Sequence, residues 1–147
     1  MWNAVYASAR LKLNGPARNK ALLILSDGND TGSTHSFSAT LEEVQRSGVV
    51  VYAIKYPDAL STEVSSDDLY RLTNETGGIL FDSGGANYSE IISRIAADLH
   101  ERYVLGFRPE SMGSDAASIS DARSIKVEVI RSGATVRARR EYFGPLP

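Results

Sequence analysis

Apolar residues along this chain alternate between helical stripes and unbroken runs. Trp2, Val5, Tyr6, Ala9 and Leu13 recur at helical spacing, and Asn14-Gly15-Pro16 ends the pattern, which predicts a helix over 2–13. Ala21-Leu22-Leu23-Ile24-Leu25 follows with no polar break. Continuous apolarity predicts a strand covered on both faces, as in a parallel sheet. Residues Ser26 to Thr34 are small or polar and predict a loop. Phe37, Leu41 and Val44 then mark one helix face, with Gly48 just beyond its end.

The same unit recurs. Val49–Ile54 predicts a second buried strand, and a polar loop runs from Pro57 to Ser65. Ser65 and Asp68 have capping-box spacing ahead of Leu69, Leu72 and Thr76, and Gly77-Gly78 closes that helix. Ile79-Leu80-Phe81 predicts a short third strand. Asn87 and Glu90 cap a longer helix with the stripe Ile91, Ile92, Ile95, Ala96 and Leu99. Strand–helix alternation with short connections means βα units and a mainly parallel sheet.

The pattern changes after residue 102. Tyr103-Val104-Leu105-Gly106-Phe107 predicts a strand, and Glu110 to Asp121 a loop. Ser124–Ile130 and Ala134–Arg140 alternate and meet at Ser132-Gly133, which predicts a hairpin. The expected fold class is α/β: a partial doubly wound, mainly parallel sheet over 1–102, with a C-terminal antiparallel β appendage over 103–147.

Composition narrows the function classes. The 147 residues carry a formal charge of -2, which argues against a general polyanion binder. Charge is unevenly placed, with 13 acids and 4 bases from Asp27 to Glu101, and six bases and one acid from Arg123 to Arg140. In an alternating strand Arg137 and Arg139 share one face and Val136 and Ala138 the other, the pattern of a solvated strand pair, so no nucleic-acid partner is expected. With no cysteine, disulfides, thiol catalysis and cysteine metal sites are excluded. No apolar run approaches a membrane span. Met1-Trp2-Asn3-Ala4 lacks the basic-then-apolar order of a signal peptide, so export would have to be specified upstream.

In open α/β sheets ligands bind outside the carboxyl ends of the strands. Three such ends are legible: Ser26-Asp27-Gly28-Asn29-Asp30, Lys55-Tyr56-Pro57-Asp58 and Asp82-Ser83-Gly84-Gly85. The first is the richest. Asp27 follows directly on a buried strand, Gly28 permits a sharp turn, and Asn29, Asp30 and Thr31 add oxygens nearby. A fixed carboxylate suits one corner of the oxygen shell that magnesium or another divalent cation requires. The plain alternative is a turn in which Asp and Asn bond their own backbone. His35 and His100 have no Ser or acid partner in a motif context and read as solvated.

The run Ala21-Leu22-Leu23-Ile24-Leu25-Ser26-Asp27-Gly28-Asn29-Asp30-Thr31-Gly32 resembles the fourth strand and following loop of von Willebrand factor type A domains. Val49–Ile54 resembles the next strand, and Thr76-Gly77-Gly78 before Leu80-Phe81 the entry to the last. Tyr103–Phe107 and Val136–Pro145 resemble a bacterial subgroup with a C-terminal β extension. The family holds a divalent metal through an Asp-x-Ser-x-Ser motif after its first strand, a Thr in a middle loop and a later Asp. Asp27 matches the last of these, and nothing matches the rest, so the resemblance is to the C-terminal portion of the domain.

The resemblance implies a non-catalytic, adhesion-type protein-interaction module. Asp27 would be its one metal ligand, and Ser26, Gly28, Asn29, Asp30 and Thr31 would flank the contact with a protein partner. It also implies an exposed apolar sheet edge beside Lys20–Ser26, open to self-association, and an extracytoplasmic location if a signal peptide lies upstream. Two alternatives stand beside it. One is a small metal-dependent hydrolase or phosphoryl-transfer enzyme using Asp27 with Lys55. The other is a fragment with no independent function.

Overall fold

A computed structural model of the chain describes residues 1–12, 20–56, 67–85, 87–107 and 122–143. Helix α1 (Trp2–Ala7) runs into a π-type turn over Ser8–Lys12, so the first helix is tighter at its start than at its end. Leu13 and Asn14-Gly15-Pro16 lie outside the described residues. Three βα units follow: β1 (Ala21–Ser26), α2 (Phe37–Ser47), β2 (Val50–Lys55), α3 (Asp67–Thr76), β3 (Leu80–Asp82) and α4 (Tyr88–His100). The strands pair in parallel in the order β1-β2-β3. Consecutive parallel neighbours require helical crossovers, which α2 and α3 supply.

Local chemistry sets the boundaries. The Ser36 hydroxyl accepts from Ala39 N at 3.2 Å to start α2, and Gly48 ends it at φ 67°. Asn87 accepts from Ser89 N at 3.0 Å to start α4. Ser65 lies outside the described residues. Asp67 and Asp68 occupy the first turn of α3, where carboxylates suit the positive end of the helix dipole. That helix closes with Gly77 N on Asn74 O (3.2 Å) and Gly78 N on Thr73 O (2.8 Å), a Schellman pair with Gly77 at φ 76°.

Side chains alternate across the sheet and build two cores. Ile24, Val51 and Ala53 pack with Trp2, Val5 and Ala9 and with Leu41, Val44, Leu69 and Leu72, so α1, α2 and α3 cover one face. Tyr52, Ile54 and Phe81 pack with Ile91 and Ile95 of α4 on the other. This second face is only partly covered. Leu23 and Leu25 of β1 are 36% and 60% exposed, so the continuous apolar run is buried on one face rather than on both. Arg94 of α4 stacks over Phe81 of β3. Ile92 of the same helix is 46% exposed.

Residues 101–107, which follow α4, are irregular where the sequence predicts a strand from Tyr103. Tyr103–Phe107 is not a strand, and its apolar side chains are exposed, Tyr103 at 91%. β-favouring side chains do not make a strand without a neighbouring ladder, and among the described residues none lies beside this segment. A separate antiparallel pair joins β4 (Ala122–Ser124) to β5 (Glu141–Phe143). Its register, Ser124 opposite Glu141, converges on Ser132-Gly133. There Ala134 N donates to Arg131 O at 3.3 Å, with Gly133 at φ 76°. Between turn and strands the arms are irregular, so Ser124–Ile130 and Ala134–Arg140 form less ladder than their alternation predicts.

This hairpin rests on the body. Arg140 N donates to Glu75 O at 3.1 Å, and the Arg46 guanidinium lies 4.0 Å over the Phe143 ring. Both contacts are near the C-terminal ends of α2 and α3, at the pole opposite the strand carboxyl ends.

Candidate functional site

The carboxyl ends of the three strands align. Ser26 is in register with Lys55, and Lys55 with Asp82. Tyr56 N donates to Ser26 O (3.2 Å) and Ser83 N to Lys55 O (2.7 Å), so hydrogen bonding extends one residue past the strands.

Asp27 leaves this rigid rim in an Asx turn. Its Oδ1 accepts from Asn29 N at 3.0 Å and from the Ser26 hydroxyl at 3.4 Å. Ser26 Oγ in turn accepts from Gly28 N at 3.1 Å and is buried. Gly28 is buried at φ 96°, a conformation that disfavours any side chain. The third strand end repeats the device, with Asp82 Oδ1 accepting from Gly84 N at 2.9 Å. The turn chemistry weighed against a metal role is therefore present at Asp27, and it engages one of the two carboxylate oxygens.

Asp30 is tied into the chain. Its carboxylate accepts from the Met1 amino group, from Trp2 N at 3.1 Å, and from Ser33 N and Oγ at 3.2 and 2.7 Å. The bond from the Met1 amino group, followed by that from Ser33, holds the carboxyl well below the usual carboxylate range. Asn3 Oδ1 accepts from Thr34 N (3.0 Å) and His35 N (2.9 Å), and the His35 ring stacks on Tyr6 at 3.9 Å. The loop that carries Asn29 and Thr31 is thus stitched to α1. Thr31 is exposed, and Asn29 is half-buried.

The donor set near Asp27 fits one corner of a hydrated divalent ion rather than a full shell. Among the described residues no three His, Asp or Glu side chains converge as a metal-binding group. Magnesium held by one carboxylate keeps most of its water. No helix among them is long and apolar enough to cross a membrane.

A second polar cluster escaped the sequence reading. Tyr52 OH and two guanidiniums, Arg102 and Arg137, converge on Asp98 of α4, with Arg102 Nη2 at 3.3 Å. Arg102 also donates to Gly77 O at 2.6 Å. The four residues come from a strand, a helix, its trailing segment and the hairpin, and no local motif links them.

Compared with known protein families, curated proteins and solved structures, the chain matches none.

Proposed function

We propose that this chain is a non-catalytic protein-interaction module of adhesion type, resembling the C-terminal portion of a von Willebrand factor type A domain. The observation that carries the reading is the Ser26-Asp27-Gly28 turn at the carboxyl end of β1, with Asp27 on a rim aligned to Lys55 and Asp82. The parallel order β1-β2-β3, in which each strand neighbours the next in sequence, also supports it. Asn29 and Thr31 offer the polar rim of the contact. Asp30 acts there as the brace that shapes the loop.

In this reading Asp27 contributes one carboxylate oxygen to a largely hydrated divalent ion, and an acidic group of the protein partner completes the contact. The test is a titration of magnesium or manganese into the chain, followed by amide NMR. Shifts at Gly28 and Asn29 that saturate at millimolar metal and vanish in Asp27→Ala are the expected result. Unmoved amides would remove the metal from the proposal.

Lys55 in register with Ser26 favours one second reading, phosphoryl transfer through Asp27. Hydrolysis of a generic phosphoester that is lost in both Asp27→Asn and Lys55→Ala would favour it over the binding module.

A further inference from the structure

Three asparagines stand in the pattern Asn-x-Ser/Thr with a residue other than proline between: Asn29-Asp30-Thr31, Asn74-Glu75-Thr76 and Asn87-Tyr88-Ser89. This is the acceptor pattern for N-linked glycosylation, which adds a bulky, solubilising chain and so requires a surface loop. The fold separates the three. Asn74 and Thr76 lie within α3, and Thr76 is buried, its hydroxyl donating to Leu72 O at 2.9 Å and accepting from Val51 N at 3.0 Å. Reaching that pair means unwinding the end of α3 and breaking its bond to the central strand. Asn87 is exposed, but its Oδ1 accepts from Ser89 N at 3.0 Å to cap α4, and Tyr88 and Ser89 are the first two residues of that helix. Using it costs the cap and the first turn.

Asn29-Asp30-Thr31 lies in neither a helix nor a strand. Thr31 is exposed and Asn29 half-buried. Among the described residues no hydrogen bond engages the Asn29 carboxamide or the Thr31 hydroxyl, and the bond at Asn29 is made by its backbone N–H, to Asp27 Oδ1. The residue between them is the anchor. Asp30 accepts from Trp2 N and from Ser33 N and Oγ, so the loop is held at its middle while the polar groups on either side stay uncommitted.

We propose that Asn29 is an acceptor for N-linked glycosylation, selected by the fold from the three patterns. Asn29 Nδ2 attacks the anomeric carbon of an oligosaccharide carried on a lipid pyrophosphate. The new C–N bond forms as the bond from that carbon to the pyrophosphate oxygen breaks. The lipid pyrophosphate leaves with the electron pair, and one amide proton passes to a base of the transferase. Thr31 supplies the hydroxyl that the transferase recognises two residues on. The modification requires export, the condition already attached to the family resemblance. A glycan here would stand two residues from Asp27, on the polar border of the proposed contact, and would close that contact to a protein partner. The acceptor role itself needs neither metal nor partner, so it stands or falls separately from the proposed function.

The test treats the folded chain with a single-subunit oligosaccharyltransferase that requires only Asn-x-Ser/Thr and with a lipid-pyrophosphate-linked oligosaccharide. Peptide mass spectrometry then locates the sugar. Short peptides covering 26–34, 71–79 and 84–92 report each pattern without the fold. Relative to its own peptide, Asn29 should keep most of its rate in the folded chain. Asn87 should fall at least about fivefold, the equivalent of losing a helix cap, and Asn74 further still. Asn29→Gln should remove the glycan from the loop, and Thr31→Ala should remove it while leaving the urea midpoint in place, since Thr31 is exposed. A folded chain without glycan at Asn29 overturns the proposal. So does a glycan there that persists in Thr31→Ala, or modification of Asn74 or Asn87 that the fold slows no more than it slows Asn29.

Discussion

The hydroxyl of Tyr52, in the central strand, donates to the carboxylate of Asp98 on α4. Tyr52 is fully buried, so this bond satisfies a hydroxyl that water cannot reach. Burial, reinforced by the Asp98 acceptor, pushes the Tyr52 pKa up to about 12. Burial pulls Asp98 upward too, but the bond from Tyr52 and the charges of Arg137 and Arg102 outweigh it and hold the carboxyl below its usual range.

Replacing Tyr52 by Phe should cost about 1.5–3 kcal/mol near neutral pH, the range for a hydrogen bond to a charged acceptor. An unfolded tyrosine releases its proton at about pH 10, so between there and the folded value of about 12 the unfolded chain binds fewer protons, and stability falls as pH rises. Urea midpoints measured across that window should decline in the native chain and decline less in Tyr52→Phe.

Arg137 joins the hairpin to the same carboxylate. Its side chain is 44% exposed, so solvent screening keeps the pair below about 1 kcal/mol. Arg137→Ala should therefore leave the melting temperature of the body nearly unchanged while loosening the hairpin. Hydrogen exchange at the Arg140 amide, which donates to Glu75 O, reads this directly. Asp98 is depressed in the folded chain, so its stabilising contribution is complete above the ordinary carboxylate pKa and fades as pH falls. Exchange at Arg140 should accelerate on acidification.

Gly78→Ala should be among the most damaging single changes. A Cβ there would stand 1.8 Å from the Val51 carbonyl oxygen and 2.7 Å from its carbon, and both are backbone atoms of the central strand. Relief requires moving α3 away from β2. A loss of at least about 3 kcal/mol is expected by chemical denaturation, since overpacking against backbone exceeds the usual cost of a core insertion.

Asp30→Ala removes the acceptor for Trp2 N and for Ser33. The loss should be about 1–2 kcal/mol, as for other helix-start acceptors. Trp2 is the chain's one tryptophan and is buried, so its emission should shift to the red as α1 loosens. Asp30→Asn, which retains an acceptor oxygen, should recover part of that shift.

The parallel body was legible because its signals are local. Ala21–Leu25 and Val49–Ile54 lie within a residue of β1 and β2, and Gly48 and Asn87 cap their helices as their residue types predict. What stayed hidden depends on neighbours. Period alone could not tell that Leu23 and Leu25 lie on an uncovered part of the second face, because the core beneath α4 takes in β2, β3 and Ala21 but neither of these leucines. Tyr103–Phe107 has strand composition without a ladder to join. At the candidate site, the turn around Asp27 could be read from Asp-Gly-Asn. The bracing role of Asp30 could not, because its partners Met1 and Trp2 are 28 or more residues away.

The consecutive order β1-β2-β3 also keeps the parallel pairings close in sequence. Each parallel pairing closes a single helical crossover, from Ala21 to Val50 and then from Ala53 to Leu80, so loop entropy is met in small instalments. The Tyr52–Asp98 bond, which ties α4 to the central strand, closes a longer span of 46 residues. Until α4 docks, Tyr52, Ile54 and Phe81 have no cover on the second face, so refolding yield should fall as protein concentration rises.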